Sequence, residues 1–113
     1  MSDAAQRPHI VMFLSDQHSP RIWAGGGDAH VRTPALDRLA GEGVRFGRCM
    51  TGYPLCVPAR MSLMTGRRCH EIDVWTNTDS LDSNIATFAH GLGLAGYRTV
   101  LAGRMHFVGG DQM

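Results

Sequence analysis

Hydrophobic and polar positions come in blocks whose period changes along the chain. His9-Ile10-Val11-Met12-Phe13-Leu14-Ser15 is a continuous apolar run that turns polar at Asp16-Gln17, the pattern of a strand buried on both faces of a parallel sheet. Leu36, Leu39 and Ala40 then recur at helical spacing, between a Thr33-Pro34 start and a Gly43 stop, which predicts a helix over 33–43. Residues 44–50 alternate as a half-buried strand interrupted at Gly47. Pro58 and Gly66 bracket a second helix. Proline suits the first helical position, where its missing N–H has no partner, and this leaves Cys56 just ahead of the helix. Ile85, Phe88, Ala89 and Leu92 define a third helix, with Ser83 as cap and Gly96 beyond its end, and residues 98–103 read as a third strand. Strands alternating with helices predict an α/β fold, a mostly parallel sheet flanked by helices. Asp16 and Gln17 fall at the carboxyl end of a strand, where ligands collect in such sheets.

Composition narrows the class. At 113 residues, 43% hydrophobic and 19% charged, the chain is globular in composition and has the length of one small domain. A net charge of +1 and scattered arginines give no basic stripe for nucleic acid. The polar start lacks the apolar run of a signal peptide, and no apolar stretch is long enough to span a bilayer, so the expectation is a cytoplasmic protein with no membrane partner. Three cysteines without framework spacing agree with a reducing compartment.

The candidate chemistry gathers around Cys56. First-turn amides of a helix lack internal acceptors and carry the positive end of its dipole, and Arg60 lies one turn further on, so an oxyanion beside Cys56 would be stabilised. A thiolate phosphatase loop needs a longer cysteine-to-arginine spacing. A structural zinc site needs two close ligand pairs, whereas Cys49, Cys56 and Cys69 are widely and unevenly spaced. Asp16 and Gln17 offer oxygen donors suited to Ca²⁺, Mg²⁺ or Mn²⁺ rather than zinc, or else form a simple solvated turn. Along an extended segment, alternation puts Arg104 and His106 on one face. The glycines at 25–27 lack the Gly-Lys-Ser/Thr of a phosphate loop, and Arg67-Arg68-Cys69-His70 and His90 read as structural.

Cys56-x-Pro58-x-Arg60 followed by Leu63 and Thr65-Gly66 resembles the sulfatase signature. So do the strand ending in Asp16-Gln17, the stretch from Thr33 to Phe46, and Gly96-Tyr97-x-Thr99 through Met105-His106-Phe107-Val108-Gly109 and Asp111-Gln112. The last of these is most similar to choline sulfatases, and the matches together span nearly all of the chain. The resemblance implies the N-terminal portion, residues 1–113, of a catalytic domain with the alkaline phosphatase-like fold, completed by metal ligands and pocket residues further on. It implies oxidation of Cys56 to formylglycine by a maturation enzyme, a hydrated aldehyde as nucleophile, and a divalent metal, calcium first with manganese or magnesium as alternatives.

In this resemblance Asp16, Gln17 and the residue derived from Cys56 are metal ligands, and Cys56, Arg60, Arg104 and His106 are catalytic. Asn77 is a substrate-binding candidate by the same resemblance, and otherwise an asparagine used for its turn chemistry. The family usually has lysine where this chain has Arg104, whose planar fork is a different shape of cation. The implied substrate is a small-molecule sulfate ester, with room for a homo-oligomer. A phosphonate or phosphate monoester hydrolase on the same scaffold is one alternative, and an inactive fragment serving as a binding piece is another.

Overall fold

Helices close their hydrogen bonds within a few residues, whereas a strand is stable only when another segment pairs with it, and this difference governs which expected elements form. The computed structural model describes residues 7–104 and 106–107; Met105 and residues 108–113, with the choline-sulfatase-like end of the chain, lie outside the described residues. The described helices are α1 (Pro34–Glu42), α2 (Cys56–Thr65), α3 (Cys69–Ile72) and α4 (Phe88–Leu94), preceded by a 3₁₀ turn over Ala24–Gly26. Among the described residues there is no strand. The run at 9–15, expected as a buried strand, is solvent-exposed, with Val11 at 72% and Phe13 at 92%. Residues 44–50 and 98–103 are likewise irregular and exposed. Among the described residues the parallel sheet expected from the sequence is not formed, because no described segment supplies a ladder for these runs.

The chain divides into two compact units, Met1–Gly47 and Arg48–Met113. In the first, α1 begins and ends as expected, with Pro34 in its first turn and the Gly43 N–H bonded to Leu39 O at 2.9 Å. Thr33 sits at the cap position, but its hydroxyl accepts from the Ala24 N–H at 3.1 Å instead of capping the helix. Asp37 Oδ1 accepts from the Gly25 N–H at 3.0 Å, tying the 3₁₀ turn to α1. The Arg45 guanidinium carbon lies 4.5 Å from the centre of the Trp23 ring, a cation–π contact.

The second unit holds the core. Val57, Met61, Ile72 and Val74 are buried together, with Leu81, Ile85 and Phe107 packed against them. α2 carries Val57 and Met61 inward, four residues apart and so on one face, while α3 and the residue pair that follows it supply Ile72 and Val74. Gly66 stops α2 with φ 68°, a left-handed conformation that suits glycine, and its N–H reaches Ser62 O at 2.9 Å. α4 starts four residues later than the Ser83 cap implied, at Phe88 with Thr87 as cap. The chain before it is used otherwise: Asp82 accepts from the Asn84 N–H through Oδ1 at 2.8 Å and from the Ile85 N–H through its carbonyl at 3.0 Å. His90 then closes the helix start, its Nδ1 accepting from the Thr87 N–H at 3.1 Å.

Candidate active site

α2 starts at Cys56, not at Pro58, which is its third residue. Proline loses nothing there, because the N–H groups of the whole first turn lack helical acceptors; the first helical bond runs from the Ala59 N–H to Leu55 O at 2.9 Å. Leu55, extended at φ −131° and ψ 152°, carries the chain into that turn. Cys56 is thus the first helical residue and half-buried, and Arg60, also half-buried, follows one turn on along the same face.

The Val57 N–H is accepted by Asn77 Oδ1 at 3.0 Å, so an asparagine twenty positions further on caps α2. The residue expected from resemblance to bind substrate therefore stands at the start of the helix that Cys56 begins, with its oxygen already committed. Its loop is tightly organised. Trp75 and Thr76 both donate their backbone N–H to Asp79 Oδ2 at 2.8 Å, and the Trp75 indole N–H reaches Asp73 Oδ1 at 2.8 Å. The Trp75 ring meets Tyr53 edge-on, with centroids 6.0 Å apart. Hydrogen bonds from the Trp75 and Thr76 backbones and the Thr76 side chain hold the Asp79 carboxyl below the usual carboxylate range.

His106, half-buried, precedes Phe107, which packs on the core that Val57 helps to form; Arg104 is exposed. The strict alternation expected of an extended segment does not apply here, because Gly103 at φ 102° and His106 at φ 43° are left-handed. Asp16 and Gln17 belong to the first unit, exposed at a turn where Gln17 has φ 52°. A neighbour for which the sequence suggested no role, His18, supports that turn through a 2.7 Å contact between Nε2 and Ile22 O. An open cavity of about 480 Å³ in the first unit, lined by Trp23, Asp37 and Arg45 among others, contains none of the candidate residues.

Sequence reasoning passed over Asp79, although Thr76-Asn77-Thr78-Asp79 fits the Ser/Thr-x-x-acid pattern in which the fourth side chain reaches back to the first backbone N–H. It also missed the Tyr53–Trp75 pair, which no local spacing announces. Cys69 is buried with its thiol 3.6 Å from Pro58 O, and burial pushes that thiol above its ordinary pKa. This makes it an inert packing cysteine, as the sequence implied.

Comparison with known proteins fixes the class. The Sulfatase family model matches residues 8–112, and the chain belongs to that family. It is 39% identical over 107 residues to a choline-sulfatase of Rhizobium meliloti (strain 1021), covering 95% of this chain and 21% of that protein. It is 31% identical over 110 residues to an N-acetylglucosamine-6-O-sulfatase of Bacteroides thetaiotaomicron, covering 97% of this chain and 20% of the relative. With arylsulfatase K of Homo sapiens it shares 29% identity over 107 residues, covering 95% and 20% of the two chains. The chain therefore spans about a fifth of the length of the curated relatives it matches. No solved structure matches it significantly.

Proposed function

We propose that the complete protein hydrolyses small-molecule sulfate esters in the cytoplasm, using residue 56 as nucleophile after a maturation enzyme has oxidised Cys56 to formylglycine. The observation that carries this reading is the placement of Cys56 as the first residue of α2 with Arg60 one turn behind it, in a chain of the Sulfatase family. A divalent cation, calcium first, is part of the reading. Asp16 and Gln17 fit it chemically, since a carboxylate and an amide oxygen at adjacent, exposed positions are hard donors. Calcium takes about six to eight oxygens, so these two would hold only part of its shell. Among the described residues no group of three or more His, Cys, Asp or Glu side chains gathers.

When present, the cation supplies Lewis-acid charge and hydrated formylglycine supplies a geminal hydroxyl pair. Arg60 offers its guanidinium to the sulfate oxygens beside the α2 N-terminus, where fixed donors act most strongly on developing charge. Asn77, its Oδ1 held by Val57, offers a substrate only its Nδ2 donors, which is the polarity that a sulfate oxygen requires. Arg104 provides a second cation and His106 an imidazole able to take a hydroxyl proton from residue 56. Choline sulfate is the first substrate to try, on the likeness to a choline-sulfatase.

Full-length protein co-expressed with a formylglycine-generating enzyme should yield a peptide with the formylglycine mass at position 56, leaving Cys49 and Cys69 as thiols. It should cleave an aryl sulfate faster than an aryl phosphonate, and Cys56→Ala should abolish both activities. Retained turnover with Cys56 unmodified would overturn the formylglycine reading, and faster phosphonate cleavage would move the assignment to phosphonate esters.

A further inference from the structure

One loop grips the chain on both sides of Cys56. Three residues before the cysteine, Tyr53 meets the Trp75 ring; one residue after it, Val57 donates to Asn77 Oδ1 at 3.0 Å. Both gripping residues lie in the same short loop, and a single carboxylate oxygen organises that loop: Asp79 Oδ2 accepts from the N–H groups of Trp75 and Thr76, each at 2.8 Å. Asn77 sits inside the ring that these bonds close, and the Asp79 N–H returns to Thr76 O at 3.3 Å. Below the loop, buried Val74 fixes its entry into the core.

We propose that Asp79 is a positioning residue for the nucleophile: it shapes the loop that delivers Asn77 to the Val57 N–H and Trp75 to Tyr53, and so sets where the first turn of α2 holds residue 56. The proposal rests on the reading of residue 56 as nucleophile. Its physical content is that Asp79 touches no reacting atom. Without its carboxylate the Trp75 and Thr76 amides turn to water, the ring around Asn77 opens, and the first turn of α2 loses a fixed acceptor. Misplacing a nucleophile by about 1 Å costs up to about 100-fold in rate.

The test uses Asp79→Ala, Asp79→Asn and Asn77→Ala in the matured full-length protein. Asp79→Asn keeps an oxygen that can accept both amides, so it separates loop geometry from simple loss of the side chain. Steady-state kinetics on an aryl sulfate should show Asp79→Ala with kcat lowered about tenfold or more and KM changed less than about threefold, and Asp79→Asn restored to within about threefold of wild type. Hydrogen exchange of the peptide carrying Val57 to Met61 should quicken in Asp79→Ala and in Asn77→Ala, and stay near wild type in Asp79→Asn. Wild-type exchange and kcat in Asp79→Ala would overturn the proposal, as would a kcat loss that Asp79→Asn fails to restore. Should wild type turn over no sulfate ester while exchange still quickens in Asp79→Ala, the grip on α2 stands and the sulfate-ester reading alone falls.

Discussion

Two backbone N–H groups on one carboxylate oxygen decide how Asp79 titrates. They favour its ionised form, so its pKa in the folded protein lies below its unfolded value. Between those two values the unfolded chain binds more protons, and stability rises with pH. The contribution of Asp79 is thus complete above about pH 4, the ordinary aspartate value, and disappears as pH falls through the lowered pKa. Urea midpoints of the full-length protein should therefore drop more steeply below about pH 4 in wild type than in Asp79→Asn, with parallel curves at neutral pH. Identical acid limbs would mean that the loop amides do not discriminate between the two protonation states. The same chemistry sorts the cysteines: burial raises the Cys69 thiol, and Cys49 is exposed outside any helix. Cys56 and Cys69 each begin a helix, but Cys69 is buried, whereas Cys56 is half-buried with an arginine one turn away.

α2 joins the core to the candidate site, because Val57 and Met61 face the core while Cys56 and Arg60 lie along another stripe of the same helix. Met61→Ala should cost about 2–5 kcal/mol in urea denaturation of the full-length protein, since Met61 is buried among Val57, Ile72 and Val74 and its neighbours cannot fully close the gap. Loss below about 0.5 kcal/mol would place Met61 outside the working core. The helices were the legible part of the fold, each to a different degree. α1 could be read to within a residue from Thr33-Pro34 and Gly43, although its cap side chain serves the neighbouring turn. α2 begins two residues before the expected Pro58, because every N–H of the first turn lacks a helical acceptor and a proline there removes no helical bond. α4 was misread because Ser83 competes with Thr87, and the winner was decided by the Asp82 turn and by His90 acting as a capping partner. Asn77 was a candidate only through family resemblance, and its bond to Val57, which no local pattern announces, depends on folding that brings distant residues together.

At the scale of the whole molecule, residues 10–14 and Val100-Leu101 present apolar side chains to water, the kind of surface that marks a contact with another segment or partner. Their apolar periodicity was readable, but their partners were not, because pairing is a property of segments remote in sequence. Membership of the Sulfatase family, with only a fifth of the relatives' length spanned, motivates a specific contrast. If residues 10–14 form a buried strand once the whole domain is present, Val11→Asp places an unpaired charge in that sheet. It should then destabilise the full-length protein by about 3–5 kcal/mol in urea denaturation. In the 113-residue chain alone Val11 is already solvated, so the same substitution should leave hydrogen-exchange protection of α2 within about 0.5 kcal/mol of the unsubstituted chain. An equally small effect in the full-length protein would show that the run stays exposed there too, and the expected parallel sheet would lose its first strand along with the carboxyl end that presents Asp16 and Gln17.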